Sequence, residues 1–286
     1  MGKLQEQDIK HTLYKPPIDS HKGENGRLLV IGGSTLFHAS IFWSADVASR
    51  VVDLVHFTSP ANENNDLVRQ KLKSGFWNGI VVPFERVGEY IEEDDCVLIG
   101  PGMSRDEGLA AGEKPSSEIV NTLVAKYPHK RWVIDGGALQ EIDVNVLTNS
   151  MIITPHHKEW EKITYISNVK ANNLRTGDQL NQVKEFSIQH HNVTVLLKGK
   201  EDIVCRGDEA VIVPGGNAGM TKGGTGDVLA GLVAALYCKN EAFHSARIAS
   251  VVMKRAGEEL GNRVGNYFNA GDLLPVVPEV LARVTE

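Results

Sequence analysis

The sequence has too few cysteines for a disulfide framework: only Cys96, Cys205 and Cys238, none in a CxxC pair. Such sparse, scattered thiols exclude the usual zinc spacings and fit a reducing, cytoplasmic setting. No stretch of about 18 apolar residues occurs, which excludes an ordinary membrane-spanning helix. The opening residues, Met1 to Asp8, are polar and hold no apolar signal core. The match of Asn192-Val193-Thr194 to a glycosylation acceptor therefore lacks its context. Basic excess is missing too: the net charge of −6 argues against a broad nucleic-acid surface. Repeats, low-complexity linkers and blocks of like charge are also absent, so residues 1–286 read as one domain.

Short β-branched runs alternate with helical patterns. Leu28–Ile31, Leu54–Phe57, Ile80–Val82, Val97–Ile99, Val133-Ile134, Ile152-Ile153 and Val193–Leu197 read as buried strands. Helices are expected at about Ser40–Val52, Ser116–Lys126 and Leu174–His190. This order signals βα units and a mostly parallel sheet between two helical layers, an α/β/α sandwich. Ile203-Val204 and Val211–Val213, separated by Arg206-Gly207-Asp208, read as an antiparallel hairpin at the sheet edge. Further helices are expected near Gly226–Leu236 and Ala242–Leu260. His190-His191 matches no metal-ligand spacing and reads as a solvated helix end.

Ligands of such sheets bind beyond the carboxyl ends of the strands. Five turn-rich segments fall there: Gly32-Gly33-Ser34, Gly100-Pro101-Gly102, Asp135-Gly136-Gly137, Thr154-Pro155-His156 and Lys198-Gly199. The most informative segment comes later. Six glycines lie between Gly215 and Gly226, and Asp227 then opens the apolar run Val228–Leu236. Gly223, Gly224 and Gly226 let backbone N–H groups approach an anion at a helix N-terminus, with Asp227 beside it as a base. The helix N-terminus is expected to favour ionised Asp227. No Lys-Ser/Thr follows the last glycine, so this is not a Walker A loop. Taken alone, Lys198 reads equally well as a solvated strand end, and Asp135 as a turn starter.

These segments together resemble the ATP- or ADP-dependent NAD(P)H-hydrate dehydratases of the ribokinase-like superfamily. The resemblance is carried in order by His21-Lys22-Gly23, Gly26–Ser34, Ile99–Gly102, Val133–Asp135, Thr154–His156, Leu196–Gly199 and Asn217–Leu229. It implies a ribokinase-like three-layer fold and a metabolite-repair reaction. ATP or ADP would phosphorylate the C6 hydroxyl of hydrated NADH or NADPH, and phosphate would then leave. It implies Asp227 as catalytic base and Ser40, Gly102, His156 and Asp227 as contacts to the hydrated dinucleotide. Lys198, Gly199, Lys200, Glu201 and Asp202, with Gly223, Gly224, Thr225 and Gly226, would hold the adenine nucleotide. Mg²⁺ would bridge the nucleotide phosphates, through protein ligands that the sequence does not reveal. A tetramer is the family's tendency, and the unit resembles relatives without a fused epimerase domain.

Departures from the family pattern fall on the substrate side. Ala39-Ser40-Ile41 stands where Gly-Ala-Pro is usual, Asp135-Gly136-Gly137-Ala138-Leu139 lacks one acidic group, and Lys158 replaces a glycine before Glu159. Two other readings stay open: a ribokinase-like kinase for a vitamin alcohol or sugar, and a nucleotide-binding regulator without catalysis.

Overall fold

The computed structural model describes residues 9, 11–74, 79–109, 112, 114–166 and 176–285. Its strands are β1 (Arg27–Ile31), β2 (Leu54–Thr58), β3 (Ile80–Val81), β4 (Cys96–Ile99), β5 (Arg131–Ile134), β6 (Met151–Ile153), β7 (Thr194–Leu197), β8 (Asp202–Arg206) and β9 (Glu209–Val213). They form one sheet in the order β3-β2-β1-β4-β5-β6-β7-β8-β9. Strands β1 to β7 pair in parallel, and β8 and β9 add an antiparallel edge. The helices are α1 (Ala39–Ala48), α2 (Asn62–Ser74), α3 (Val87–Glu93), α4 (Ser116–Lys126), α5 (Gly136–Glu141), α6 (His157–Ile166), α7 (Thr176–Gln189), α8 (Thr225–Tyr237), α9 (Ala242–Val264) and α10 (Ala270–Thr285).

The pleat divides the apolar runs between two cores. Leu28, Val30, Leu98, Val133 and Leu196 face α1, α8, α9 and α10. Leu29, Ile31, Val97, Ile134 and Val195 face α3 to α7. Strands covered on both sides must be apolar at every position, which is why they read as continuous runs.

Several boundaries differ from the sequence reading. Helix α1 ends at Ala48, because Arg50 and Val51 turn back by three-residue hydrogen bonds to Val47 and Ala48. Helix α7 begins at Thr176, while Leu174 and Arg175 lie outside the described residues. The sequence reading does not place helices α2, α3, α5, α6 and α10 individually. Helix α10 contains Pro275 and Pro278, ordinarily breakers. Pro278 cannot donate to the Leu274 carbonyl, and the Arg50 Nε donates there instead at 3.2 Å. A tertiary donor thus replaces the missing helical one.

Parallel pairing brings the five turns after β1, β4, β5, β6 and β7 to one rim. They are interlocked: Gly33 N–H donates to the Pro101 carbonyl at 2.7 Å, and Lys198 N–H to that of Pro155 at 2.8 Å. A methyl group on Gly100 would lie 1.8 Å from the Asp135 carbonyl oxygen, and one on Gly137 2.1 Å from that of Met103. The glycine at 137, where the family pattern has an acidic group, is thus a packing requirement of this chain.

Candidate active site

The glycine loop arrives at the rim from the hairpin edge. Gly224 has φ +94°, and a methyl there would lie 2.3 Å from the Trp43 ring, so only glycine fits this entry to α8. Gly223 and Gly226 differ. A methyl on Gly223 would meet nothing within 4 Å, and one on Gly226 only the Lys198 Nζ at 3.4 Å. Packing does not demand glycine at these two positions, and both line the open cleft at the start of α8.

Helix α8 is drawn against α1 by another glycine. A methyl on Gly231 would lie 2.4 Å from the Ser44 carbonyl oxygen. Ser44 Oγ donates to the Asp227 carbonyl at 2.7 Å, one turn earlier on the same face of α8. This contact places Ser40, one turn before Ser44, near the Asp227 carboxylate, whose ionised form its hydroxyl favours.

Burial, then the nearby Asp135 charge, pushes Asp227 up from 3.8 to about 7, against the Ser40 bond and the Lys198 ammonium. Here the sequence reading is corrected: desolvation and like charge outweigh the stabilisation expected of a helix N-terminus. A carboxylate poised near neutrality is well matched to general-base work.

Asp135 and Lys198 form an ion pair at 2.7 Å, and Thr154 Oγ1 donates to the same Asp135 oxygen at 2.7 Å. Asp135 makes no side-chain cap to α5. Its turn-starter reading gives way to a partnership with a residue 63 positions away. Lys198 is no solvated strand end either, since its side chain is only 17% exposed. Burial alone would depress its ammonium, yet Asp135, Glu159 and Asp227 hold it above the usual lysine value.

His156 precedes α6 and caps it reciprocally with Glu159. The His156 N–H donates to Glu159 Oε2 at 2.8 Å, and the Glu159 N–H donates to His156 Nδ1 at 3.1 Å. This is a capping box with histidine in the usual Ser/Thr place. An Nδ1 that accepts carries no proton, so the neutral ring bears its proton on Nε2. Burial holds the Glu159 carboxyl above its usual value, with Lys198 opposing.

The Lys198–Asp202 segment is braced from behind. The Asp202 carboxylate accepts from Gly199 N–H at 2.9 Å and Ser250 Oγ at 2.8 Å, and pairs with Lys254 at 3.1 Å. Lys254 Nζ also donates to the carbonyls of Gly199 and Lys200, at 2.7 and 3.0 Å. Asp202 thus shapes the segment, while Lys200 and Glu201 are exposed on it.

These elements enclose a cleft of about 930 Å³ lined by Lys198 to Asp202, Gly223 to Asp227, His156, Glu159, Asp135 and Lys254. A second cavity of about 490 Å³ is lined by Ser40, Gly102, Arg105, Gly137 and Gln140. Ser40 lines the smaller cavity and Asp227 the larger, and the Ser40 side chain acts on the Asp227 carboxylate. Ser40 and Gly102 fall in the smaller cavity and His156 in the larger, with Gln140 Nε2 donating across to Glu159 at 3.3 Å. Glu159 and Lys254 were not singled out by sequence reasoning. The His-x-x-Glu spacing could have signalled Glu159 as a capping partner. Nothing local marks Lys254, which lies mid-helix in α9.

Nine strands in this order, helices on both faces and a glycine loop opening a helix at the rim define a ribokinase-like fold. Solved structures agree: an ADP/ATP-dependent NAD(P)H-hydrate dehydratase of Bacillus subtilis, co-crystallised with ATP and Mg²⁺, superposes with TM-score 0.76. It is 22% identical, over 98% of this chain and 97% of that one. The NAD(P)H-hydrate dehydratase family profile matches residues 28–279, and the chain belongs to that family. It is 33% identical to the bifunctional NAD(P)H-hydrate repair enzyme of Methanocaldococcus jannaschii, over 96% of this chain and 51% of that protein. It is 32% identical to the ADP-dependent (S)-NAD(P)H-hydrate dehydratase of Nitrosopumilus maritimus, over 96% of this chain and 94% of that one. The chain thus spans about half the length of the bifunctional relatives. Among the described residues no helix is long and apolar enough to cross a membrane.

Proposed function

We propose that this protein, acting as one domain, dehydrates hydrated NADH or NADPH at the expense of ATP or ADP. The observation that carries the reading is the position of Asp227. It lines the larger cleft in the first turn of α8, directly after the accessible glycines, and its carboxylate is acted on by Ser40 of the smaller cavity. The larger cleft suits the nucleotide, with its phosphates on the N–H groups of Gly223 to Gly226 and its remainder along Lys198 to Asp202. The smaller cavity suits the hydrated ring side of the dinucleotide, against Ser40 and Gly102, with the His156 Nε2 proton available as a donor from the cleft side. Asp227 accepts the C6 hydroxyl proton as the terminal phosphoryl group transfers. The loop N–H groups stabilise the charge that grows on the phosphoryl oxygens. Phosphate then leaves, pushed by the ring nitrogen lone pair.

The relationship to proteins handled with ATP and Mg²⁺ implies a divalent cation. The carboxylates of the cleft are largely engaged: Asp135 with Lys198, Glu159 with the α6 cap and Asp202 with Lys254. The one cluster of metal-ligand type among the described residues, His56 with Glu93 and Asp94, lines neither cavity. Mg²⁺ therefore fits here as a partner of the nucleotide phosphates with a mainly water shell, supplying charge neutralisation.

The test is the product. Incubation with NADH hydrate, Mg²⁺ and ATP or ADP is expected to give NADH and free phosphate in equal amounts. A vitamin or sugar kinase would instead accumulate a phosphate ester with no recovery of NADH absorbance. That result, with either donor, would overturn the reading.

A further inference from the structure

Dehydration requires more than departure of the C6 oxygen. Once phosphate has left, C6 and the ring nitrogen form an iminium ion, and a C5 hydrogen must leave as a proton to restore the C5–C6 double bond. A second proton acceptor is needed beside the ring. The titratable groups of the cleft are engaged in distinct ways. His156 accepts an N–H bond at Nδ1, which leaves a proton rather than a lone pair on Nε2. Both Glu159 oxygens hold donors, His156 N–H at 2.8 Å and Gln140 at 3.3 Å. Asp135 is paired with Lys198 at 2.7 Å, and Asp202 is held by Lys254, Ser250 and Gly199. Glu201 and, in the smaller cavity, Glu107 are exposed to water. Asp227 lines the cleft in the first turn of α8, engaged by no ion pair among the described residues, with the neutral hydroxyl of Ser40, which lines the smaller cavity, acting on its carboxylate.

We propose that Asp227 is the base in both halves of the reaction, so that oxygen and hydrogen leave from the same face of the ring. The proposal rests on the dehydratase reading. C5 is bonded to C6, so a carboxylate hydrogen-bonded to the C6 hydroxyl already faces the C5 hydrogen cis to that oxygen. First, the carboxylate takes the hydroxyl proton while the C6–O–P bond forms and the nucleotide leaves. Next, the C6–O bond breaks with lone-pair push from the ring nitrogen. The Asp227 proton passes to the bridging oxygen, giving hydrogen phosphate, the iminium ion and a regenerated carboxylate. Last, that carboxylate removes the cis C5 proton, the C–H electron pair becomes the C5–C6 double bond, and the proton is released to water. An acid that must donate and accept within one turnover works best poised near the ambient pH, as burial leaves Asp227.

Two samples of NADH hydrate, deuterated at C5 cis or trans to the C6 oxygen, test this with the intact protein, Mg²⁺ and ATP or ADP. Proton NMR of the product is expected to show loss of deuterium from the cis sample and retention in the trans sample. Loss of the trans deuterium would place the base on the opposite face and overturn the proposal. Equal loss from both samples would overturn it as well, since water would then deprotonate a free iminium ion. Formation of no NADH from either sample would remove the dehydratase reading itself, an outcome distinct from the wrong stereochemistry.

Discussion

Replacing Asp227 by Asn is expected to remove activity and raise stability together. The carboxyl is shifted from 3.8 to about 7, chiefly by burial and next by Asp135. Below pH 3.8 both folded and unfolded chains hold the proton, and the site costs nothing. Between 3.8 and about 7 the unfolded chain ionises and the folded one resists, so stability falls as pH rises. Above 7 the full difference of about three pKa units applies, on the order of 4 kcal/mol. Asn has the same shape, keeps an acceptor for Ser40 and carries no charge to bury. Thermal unfolding should therefore rise on the order of 10 °C at pH 8, and by roughly a third of that at pH 5. Turnover in the same preparation should fall by about 10²–10⁴. An unfolding temperature at pH 8 equal to or below wild type would refute the account of Asp227 as a buried, destabilising base. So would a gain that does not grow between pH 5 and pH 8.

Wild-type kcat/KM should climb with pH through an apparent value near 7, because the base must be ionised; a limb flat from pH 5 to pH 8 would count against Asp227 in that role. Gly226→Val should weaken nucleotide binding by tenfold or more in calorimetry with little change in unfolding temperature, since its methyl would meet only the Lys198 ammonium. Equal affinities would remove the phosphate loop from this position. Gly231→Ala should cost about 1–3 kcal/mol and lower kcat, because its methyl collides with the Ser44 carbonyl and pushes α1 and Ser40 away from Asp227. Activity retained at wild-type level would show that the spacing of α1 and α8 does not matter. His156→Ala should raise KM for the hydrated dinucleotide while nucleotide affinity stays unchanged, and an unmoved KM would reduce His156 to a helix cap.

The alternation of apolar runs with helical patterns was enough to give a parallel sheet between helical layers, because strands covered on both faces must be apolar throughout. The hairpin edge was equally legible in Ile203 to Val213, where short strands flank the Gly207 turn. Gly215 to Asp227 marked the phosphate loop and its acid by composition and order alone. These are local signals, set by backbone freedom and side-chain period. Helix α10 was hidden because its two prolines argue against a helix, and only Arg50, 224 residues before Leu274, supplies the replacement hydrogen bond. The Asp135–Lys198 pair, the reach of Lys254 into the 198–202 segment and the Ser40–Asp227 contact all join residues far apart in the chain. The state of Asp227 was decided the same way. Its place at a helix start predicts an easily ionised carboxylate, but its proton affinity follows from the solvent it loses and the Asp135 charge it gains when α1, α5 and α8 close around it. Backbone preference is written in neighbouring residues; desolvation and charge coupling exist only once distant ones are packed together.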